Sequence, residues 1–242
     1  MRASPRLVRK SPLHSALAEL GANFVDSANC LVPTDYGDMA REVLVARDAG
    51  IADLSMSAHF GFRGPGAIAW LDGRGITAPV RPGLAVVQQN GDLAVRLANE
   101  DVLVLTLPEN RLAPADSLDM QVFPASSKSE VLCLPHFADT AWLLLVGKKS
   151  RDVLAKACSI DLRDRSFPSG HVAQTLIFDL GVILARSDVA EFPCYHVLLD
   201  RSYALYLWNA LLAGAAEFDG GPVGLSAIRQ SHGRTAAACS AR

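Results

Sequence analysis

Leu13, Leu17 and Leu20 recur at i, i+4 and i+7, the single apolar stripe of a helix over about residues 11–20. Ser11 suits its cap, Pro12 its first turn and Gly21 its end. A loop containing Pro33 and Gly37 follows. Asp38 then opens a second helix, with Met39, Val43 and Ala46 as its inner face, ending near Gly50. From His59 the period changes to a short strand, a Gly64-Pro65-Gly66 turn and a helix carrying Ile68, Trp70 and Leu71. Residues 92–97 and 102–107 alternate as two strands around the turn residues Asn99, Glu100 and Asp101.

Residues 108–135 are rich in Pro, Ser, Asp and Ala and weakly periodic. They predict a connector with one strand over 131–134 and an exposed loop around 126–129. Beyond it the earlier pattern returns: a strand over 142–146, a turn at Gly147, and a helix from Ser150, its expected cap, to Cys158. Val153 and Leu154 take the places of Trp70 and Leu71, so a strand–turn–helix–strand–strand unit is duplicated inside the chain. Further strands are expected over 174–179, 181–185 and 195–199. A helix over 202–215 puts Leu207, Trp208, Leu211 and Leu212 on one face. The organisation expected is a disordered tail at 1–10, a first half at 11–107, a connector at 108–135, a second half at 136–229 and a disordered tail at 230–242.

The 242 residues suffice for one large or two small domains with a real core. A net charge of −2, with basic residues gathered only at Arg2, Arg6, Arg9 and Lys10, gives no footprint for nucleic acid. The most apolar run, 141–146, is far short of the roughly 20 residues that span a bilayer, and no secretory signal pattern opens the chain. The five cysteines include no CxxC pair and the histidines form no metal-binding spacing, so reduced thiols in a cytoplasmic protein without a structural metal are expected. Dinucleotide, P-loop and nucleophile-elbow fingerprints are missing.

Two strings resemble the gamma subunit of heterotetrameric sarcosine oxidase. One runs from Ser150 through Lys156 and Ile160-Asp161-Leu162 to Phe167-Pro168-Ser169-Gly170-His171-Val172-Ala173-Gln174-Thr175; the other is Arg201 to Trp208. The front, in Ser11-Pro12-Leu13, Val32-Pro33, Tyr36-Gly37 and Ala49 to Ser55, resembles the T-protein, the folate-binding aminomethyltransferase. Phe62 to Ala67 is similar in both, and the resemblance covers about residues 11–229. It implies an α+β, folate-binding T-protein-like fold of two pseudo-repeated halves with antiparallel sheets and flanking helices, without the third T-protein domain. It also implies an assembly role beside flavoprotein alpha and beta subunits, in a complex that oxidatively demethylates a methylated amine. That complex uses FAD, FMN, NAD and tetrahydrofolate, none of them expected on this chain. The alternative is a stand-alone, truncated tetrahydrofolate-dependent aminomethyl- or methyltransferase.

The resemblance also marks departures. The T-protein's paired acidic residues meet Asn90-Gly91-Asp92-Leu93 here, so one carboxylate is missing, and its Gly-Tyr-Thr-Gly-Glu loop is replaced by Asp188-Val189-Ala190-Glu191. Asp92 is the candidate for holding a pterin amide or a substrate amine through charge-assisted hydrogen bonds, against a turn role beside Asn90-Gly91. His171, after Ser169-Gly170, is the candidate acid or base, against a loop histidine bonded to backbone. Asp161 and Asp164 lie near it in sequence. Trp70, Trp142, Tyr203, Tyr206 and Trp208 are candidates for core packing or for anchoring a partner.

Overall fold

A computed structural model describes residues 8–27, 29–106, 131–135, 139–189 and 191–231. The first part of the chain forms α1 (His14–Glu19), β1 (Asn23–Ser27), β2 (Cys30–Asp35), α2 (Met39–Asp48), β3 (Gly50–Asp53), β4 (His59–Arg63), α3 (Ala67–Asp72), β5 (Leu84–Val87), β6 (Leu93–Ala98) and β7 (Asp101–Leu105). The second forms β8 (Leu132–Pro135), β9 (Thr140–Val146), α4 (Ser150–Ala155), β10 (Val172–Ile177), β11 (Leu180–Arg186), β12 (Cys194–Asp200), α5 (Ala204–Ala216) and β13 (Gly221–Pro222). Residues 225–231 are helical. The expected exposed loop at 126–129 lies outside the described residues.

Local chemistry sets the ends of these elements. Gly21, at φ +86°, closes α1 as its sequence foretold: the N–H of Ala22 reaches the Leu17 carbonyl and that of Gly21 the Ala18 carbonyl. The Asp38 carboxylate caps α2 by accepting from the Arg41 N–H at 3.0 Å. Of the expected inner face of α2, Ala46 is buried and Met39 and Val43 are half-buried, and the face also carries Glu42, a buried residue the apolar pattern does not include. Glu42 can be buried because both carboxylate oxygens are used, one by the Tyr36 N–H at 2.7 Å and one by the Gly224 N–H at 2.9 Å. Ser150 does not cap α4 but is its first helical residue, and its buried hydroxyl donates to the Gly147 carbonyl at 2.7 Å. The expected loop around Pro33 is an antiparallel hairpin of β1 and β2; a two-stranded ribbon has only edges, where a proline without an N–H is tolerated. Arg9, inside the expected tail, pairs with Cys30.

Two larger sheets carry the fold, ordered β5-β6-β7-β4-β8 and β10-β11-β12-β9-β3-β13. Every pairing within them is antiparallel except that of β13 with β3. The duplicated unit is visible in this order. β4-α3-β5-β6-β7 and β9-α4-β10-β11-β12 place their strands alike, and the turn glycines Gly64 and Gly147 both have left-handed φ, +127° and +110°. The strand before each unit is exchanged: β3 pairs with β9 and β8 pairs with β4.

The period-two alternation of the strands builds three apolar layers. Leu143, Leu145, Tyr195 and Val197 of the second sheet pack beneath α1, α4 and α5. Trp142, Leu144 and Val146 on its other face meet Leu93, Val95, Leu103 and Leu105 of the first sheet. Phe60, Phe62, Val102 and Val104 then pack against α3. Trp142 and Trp208 are wholly buried core, whereas Tyr203 and Tyr206 stand exposed. Among the described residues no helix is long and apolar enough to cross a membrane.

Candidate functional site

Asp92 occupies the turn between β5 and β6. Its carboxylate accepts from the Asn90 side-chain amide at 2.9 Å, and its N–H donates to the Asn90 side-chain oxygen at 3.1 Å. Gly91 supplies the left-handed residue, φ +83°. His171 stands at the seam of the two sheets, where Gly170 and Val172 exchange backbone hydrogen bonds with Ala85 and Gly83. Its backbone accepts from the Arg186 N–H at 2.9 Å, and its ring meets Phe167 edge-on at 6.1 Å. Among the described residues Nδ1 of His171 is buried without a hydrogen-bond partner. His171 bridges Leu84 at one end of β5, whereas Asp92 follows Val87 at the other. The strand rise separates them by roughly 13 Å, so the two sequence candidates do not converge on one ligand.

Asp161 accepts from Arg163 and Ser166, which hold its carboxyl well below the usual range. Asp164 turns to Arg186, whose Nη1 reaches it at 2.7 Å. Arg186 is nearly buried. It grips both oxygens of Asp188 at 2.8 Å and the Phe167 carbonyl at 2.9 Å. Asp188 is thus tied to the segment carrying His171, and its N–H also donates to the Ser169 hydroxyl at 2.9 Å. The Tyr195 ring lies below the guanidinium at 5.5 Å, and burial pushes its hydroxyl up to about 12.

The most connected polar groups escaped the sequence reading. The Asp53 carboxylate, buried in β3, accepts from the hydroxyl of Ser11, and from the N–H and hydroxyl of Ser55 at 2.9 and 2.6 Å. The Ser55 hydroxyl accepts from the Trp142 N–H at 3.1 Å. Burial raises the pKa of Asp53, and the hydrogen bonds from Ser11 and Ser55 oppose that rise. Between the sheets the Trp142 indole donates to His196 Nδ1 at 3.3 Å, and His196 Nε2 lies 2.8 Å from the Ser187 hydroxyl. His59 packs edge-on against the same indole at 5.9 Å. Ser187 and His196 lie near the facing ends of β11 and β12, and a hairpin reading of those strands would have placed them together.

The Ser187–His196 pair has the spacing of a nucleophile and its base, but its protonation forbids that role. An indole only donates, so Nδ1 must be bare and the proton of the neutral ring sits on Nε2. Nε2–H then donates to Ser187 and has no lone pair with which to take the serine proton. The pair fastens the core. Among the described residues no three His, Cys, Asp or Glu side chains gather as a metal site. A cleft of about 480 Å³ opens on the second sheet, with Thr140, Gln174, Leu176, Gly181, Leu198 and Asp200 among its lining.

This architecture of two interlocked antiparallel sheets under short helices is an α+β, T-protein-like fold, and residues 13–232 match the GCVT N-terminal domain family. The chain belongs to that family. It is 27% identical over 230 residues to an aminomethyltransferase of Saccharopolyspora erythraea and 24% identical over 233 residues to one of Thermotoga maritima. These alignments cover 90% and 91% of the chain but 61% and 62% of the relatives, so the chain spans about three fifths of their length. Among solved structures, the glycine cleavage system aminomethyltransferase T of Bartonella henselae superposes with TM-score 0.69 at 18% identity, covering 93% of this chain and 62% of that one. Heterotetrameric sarcosine oxidase from Corynebacterium sp. U-96 superposes with TM-score 0.65 at 20% identity, covering 89% of this chain and 99% of that chain.

Proposed function

We propose that this protein is an assembly subunit of a sarcosine-oxidase-like complex that oxidatively demethylates a methylated amine in the cytoplasm. It works beside flavoprotein alpha and beta subunits, and the FAD, FMN, NAD and tetrahydrofolate of the complex are held there. The observation that carries this reading is the match over 99% of one chain of a heterotetrameric sarcosine oxidase, where the aminomethyltransferases are matched over about three fifths of their length. The position of Asp92 supports it. This lone carboxylate serves a turn and lies at the far end of β5 from His171.

The second reading is a tetrahydrofolate-dependent aminomethyl- or methyltransferase acting alone, and the aminomethyltransferase relatives favour it. Co-expression with flavoprotein alpha and beta chains of the sarcosine oxidase type, followed by size-exclusion chromatography, separates the two. The first reading expects one stable complex containing all the chains. A chain that elutes apart, and turns over a methylated amine with tetrahydrofolate unaided, overturns it in favour of the second.

A further inference from the structure

One row of side chains crosses four strands of the second sheet. β10 and β11 pair Leu176 with Gly181, and β12 and β9 pair Asp200 with Thr140. The β11–β12 register, which sets Val182 against Leu199, continues to place Gly181 beside Asp200. These four residues lie along the cleft of about 480 Å³, a volume within the ~300–1,000 Å³ of small-molecule sites. Gly181 makes the hollow, for a Cβ there would meet nothing within 4 Å. The next row inward, Ile183 paired with Leu198, gives the hollow an apolar floor. Leu176, 43% exposed, gives it an apolar wall.

At the other side of the hollow stands a carboxylate with one oxygen to spare. Asp200 Oδ1 accepts from the N–H and the hydroxyl of Ser202 at 2.8 and 2.6 Å, whereas Oδ2 has no hydrogen-bond partner among the described residues. The Ser202 bonds hold the carboxyl below its usual range, and Arg201, outside the lining, adds to the effect. The Thr140 hydroxyl beside it is likewise uncommitted among the described residues. No Lys, Arg or His is among the lining residues, and Asp139 and Asp179 stand exposed at the same end of the sheet. A guanidinium fork engages both oxygens of a carboxylate, and here one is already taken. An ammonium is a point donor that needs only single acceptors. We propose that this cleft binds a primary alkylammonium, its nitrogen held between Asp200 Oδ2 and the Thr140 hydroxyl and its chain lying across Gly181 toward Leu176. Two strand spacings, roughly 10 Å, separate Asp200 from Leu176, which suits a chain of about six carbons. The site lies at the far end of β10 from His171 and does not depend on which reading of the function holds.

The test titrates the full chain with hexylammonium chloride at neutral pH and follows its amide NMR spectrum. The expected result is saturable shifts at Thr140, Gly181 and Asp200 with a Kd of about 1 mM, ordinary for so small a ligand. Hexanol, the same stem without the charge, should bind about tenfold more weakly, and hexanoate should not bind. Asp200→Asn keeps an oxygen to cap Ser202 but should weaken binding about tenfold or more. Gly181→Val places a residue suited to a strand in the hollow and should abolish binding, the rest of the spectrum staying in place. Should that variant disturb the fold, Asp200→Asn decides alone. The absence of saturable shifts up to about ten times the expected Kd overturns the proposal. So does hexanol binding as tightly as hexylammonium, or an unchanged Kd in Asp200→Asn.

Discussion

The indole N–H of Trp142 ends on Nδ1 of His196, 3.3 Å away and diagonally across the β9–β12 ladder. This contact fixes which imidazole nitrogen carries the proton, and Ser187 receives that proton's hydrogen bond. His196→Phe keeps a ring of similar bulk but deprives the buried Trp142 and Ser187 groups of this partner. The expected loss is about 2–4 kcal/mol in urea unfolding at constant m-value, since each buried polar group left short costs about 1–3 kcal/mol. Nitrogen NMR of the His196 ring should show Nε2 protonated and Nδ1 bare. The opposite pattern would return Ser187 to the list of possible nucleophiles.

Asp53 predicts a stability that depends on acid pH in an unusual direction. Its folded pKa is raised above the ordinary 3.8, chiefly by burial. A carboxyl shifted this way favours the fold most when protonated, and its contribution is lost as pH rises from below 3.8 through the raised value. Asp53→Asn removes the titration. The stability of the natural protein relative to Asp53→Asn should therefore fall as pH rises across that window. A difference that grows with pH would mean that the hydrogen bonds from Ser11 and Ser55 outweigh the desolvation.

Gly147 and Gly37 both have left-handed φ, +110° and +92°, but their surroundings differ. A Cβ on Gly147 would stand 2.6 Å from the Asp48 carbonyl oxygen at the end of α2, whereas a Cβ on Gly37 would meet nothing within 4 Å. The crowding has a cause: the N–H groups of Lys148 and Lys149 serve the terminal carbonyls of α2. Gly37→Ala should cost only the left-handed penalty, about 1–2 kcal/mol. Gly147→Ala adds a backbone collision and should cost about 3 kcal/mol or more. Paired thermal melts measure the difference, and equal losses would show that α2 can retreat freely.

For tetrahydrofolate, isothermal calorimetry on the isolated chain should show no saturable heat at micromolar affinity, about −8 kcal/mol, and Asp92→Ala should leave the trace unchanged. Micromolar binding that Asp92→Ala abolishes would favour the transferase reading over the assembly one.

The parts of this fold that could be read in advance are those whose signals lie close together along the chain. The Gly64 and Gly147 turns, each between an apolar run and a helical stripe, disclosed the duplicated unit, and the buried face of α5 was plain from Leu207, Trp208 and Leu211. The hairpin joining β10 to β11 was less clear. Its turn is Phe178-Asp179, both at left-handed φ and with no glycine to announce them, so the pattern predicts a strand to 179 where β10 ends at Ile177. The core polar groups were harder still. Ser11 and Asp53 are 42 residues apart and Ser55 and Trp142 are 87 apart, and only strand pairing brings them together. Ser11 suits a cap by its place in the sequence, and it does accept from the Leu13 N–H at 3.1 Å, but its hydroxyl donates to Asp53.

The exchanged strands give the molecule a resistance to being divided. β3 comes before β4 in the chain yet serves the sheet of β9, and β8 comes before β9 yet serves the sheet of β4. A backbone break anywhere between β7 and β8 would leave two fragments, neither able to complete either sheet without the other. Cut there, the protein should behave as a clasp: the pieces would stay joined in native buffer, part only in denaturant, and need one another to refold.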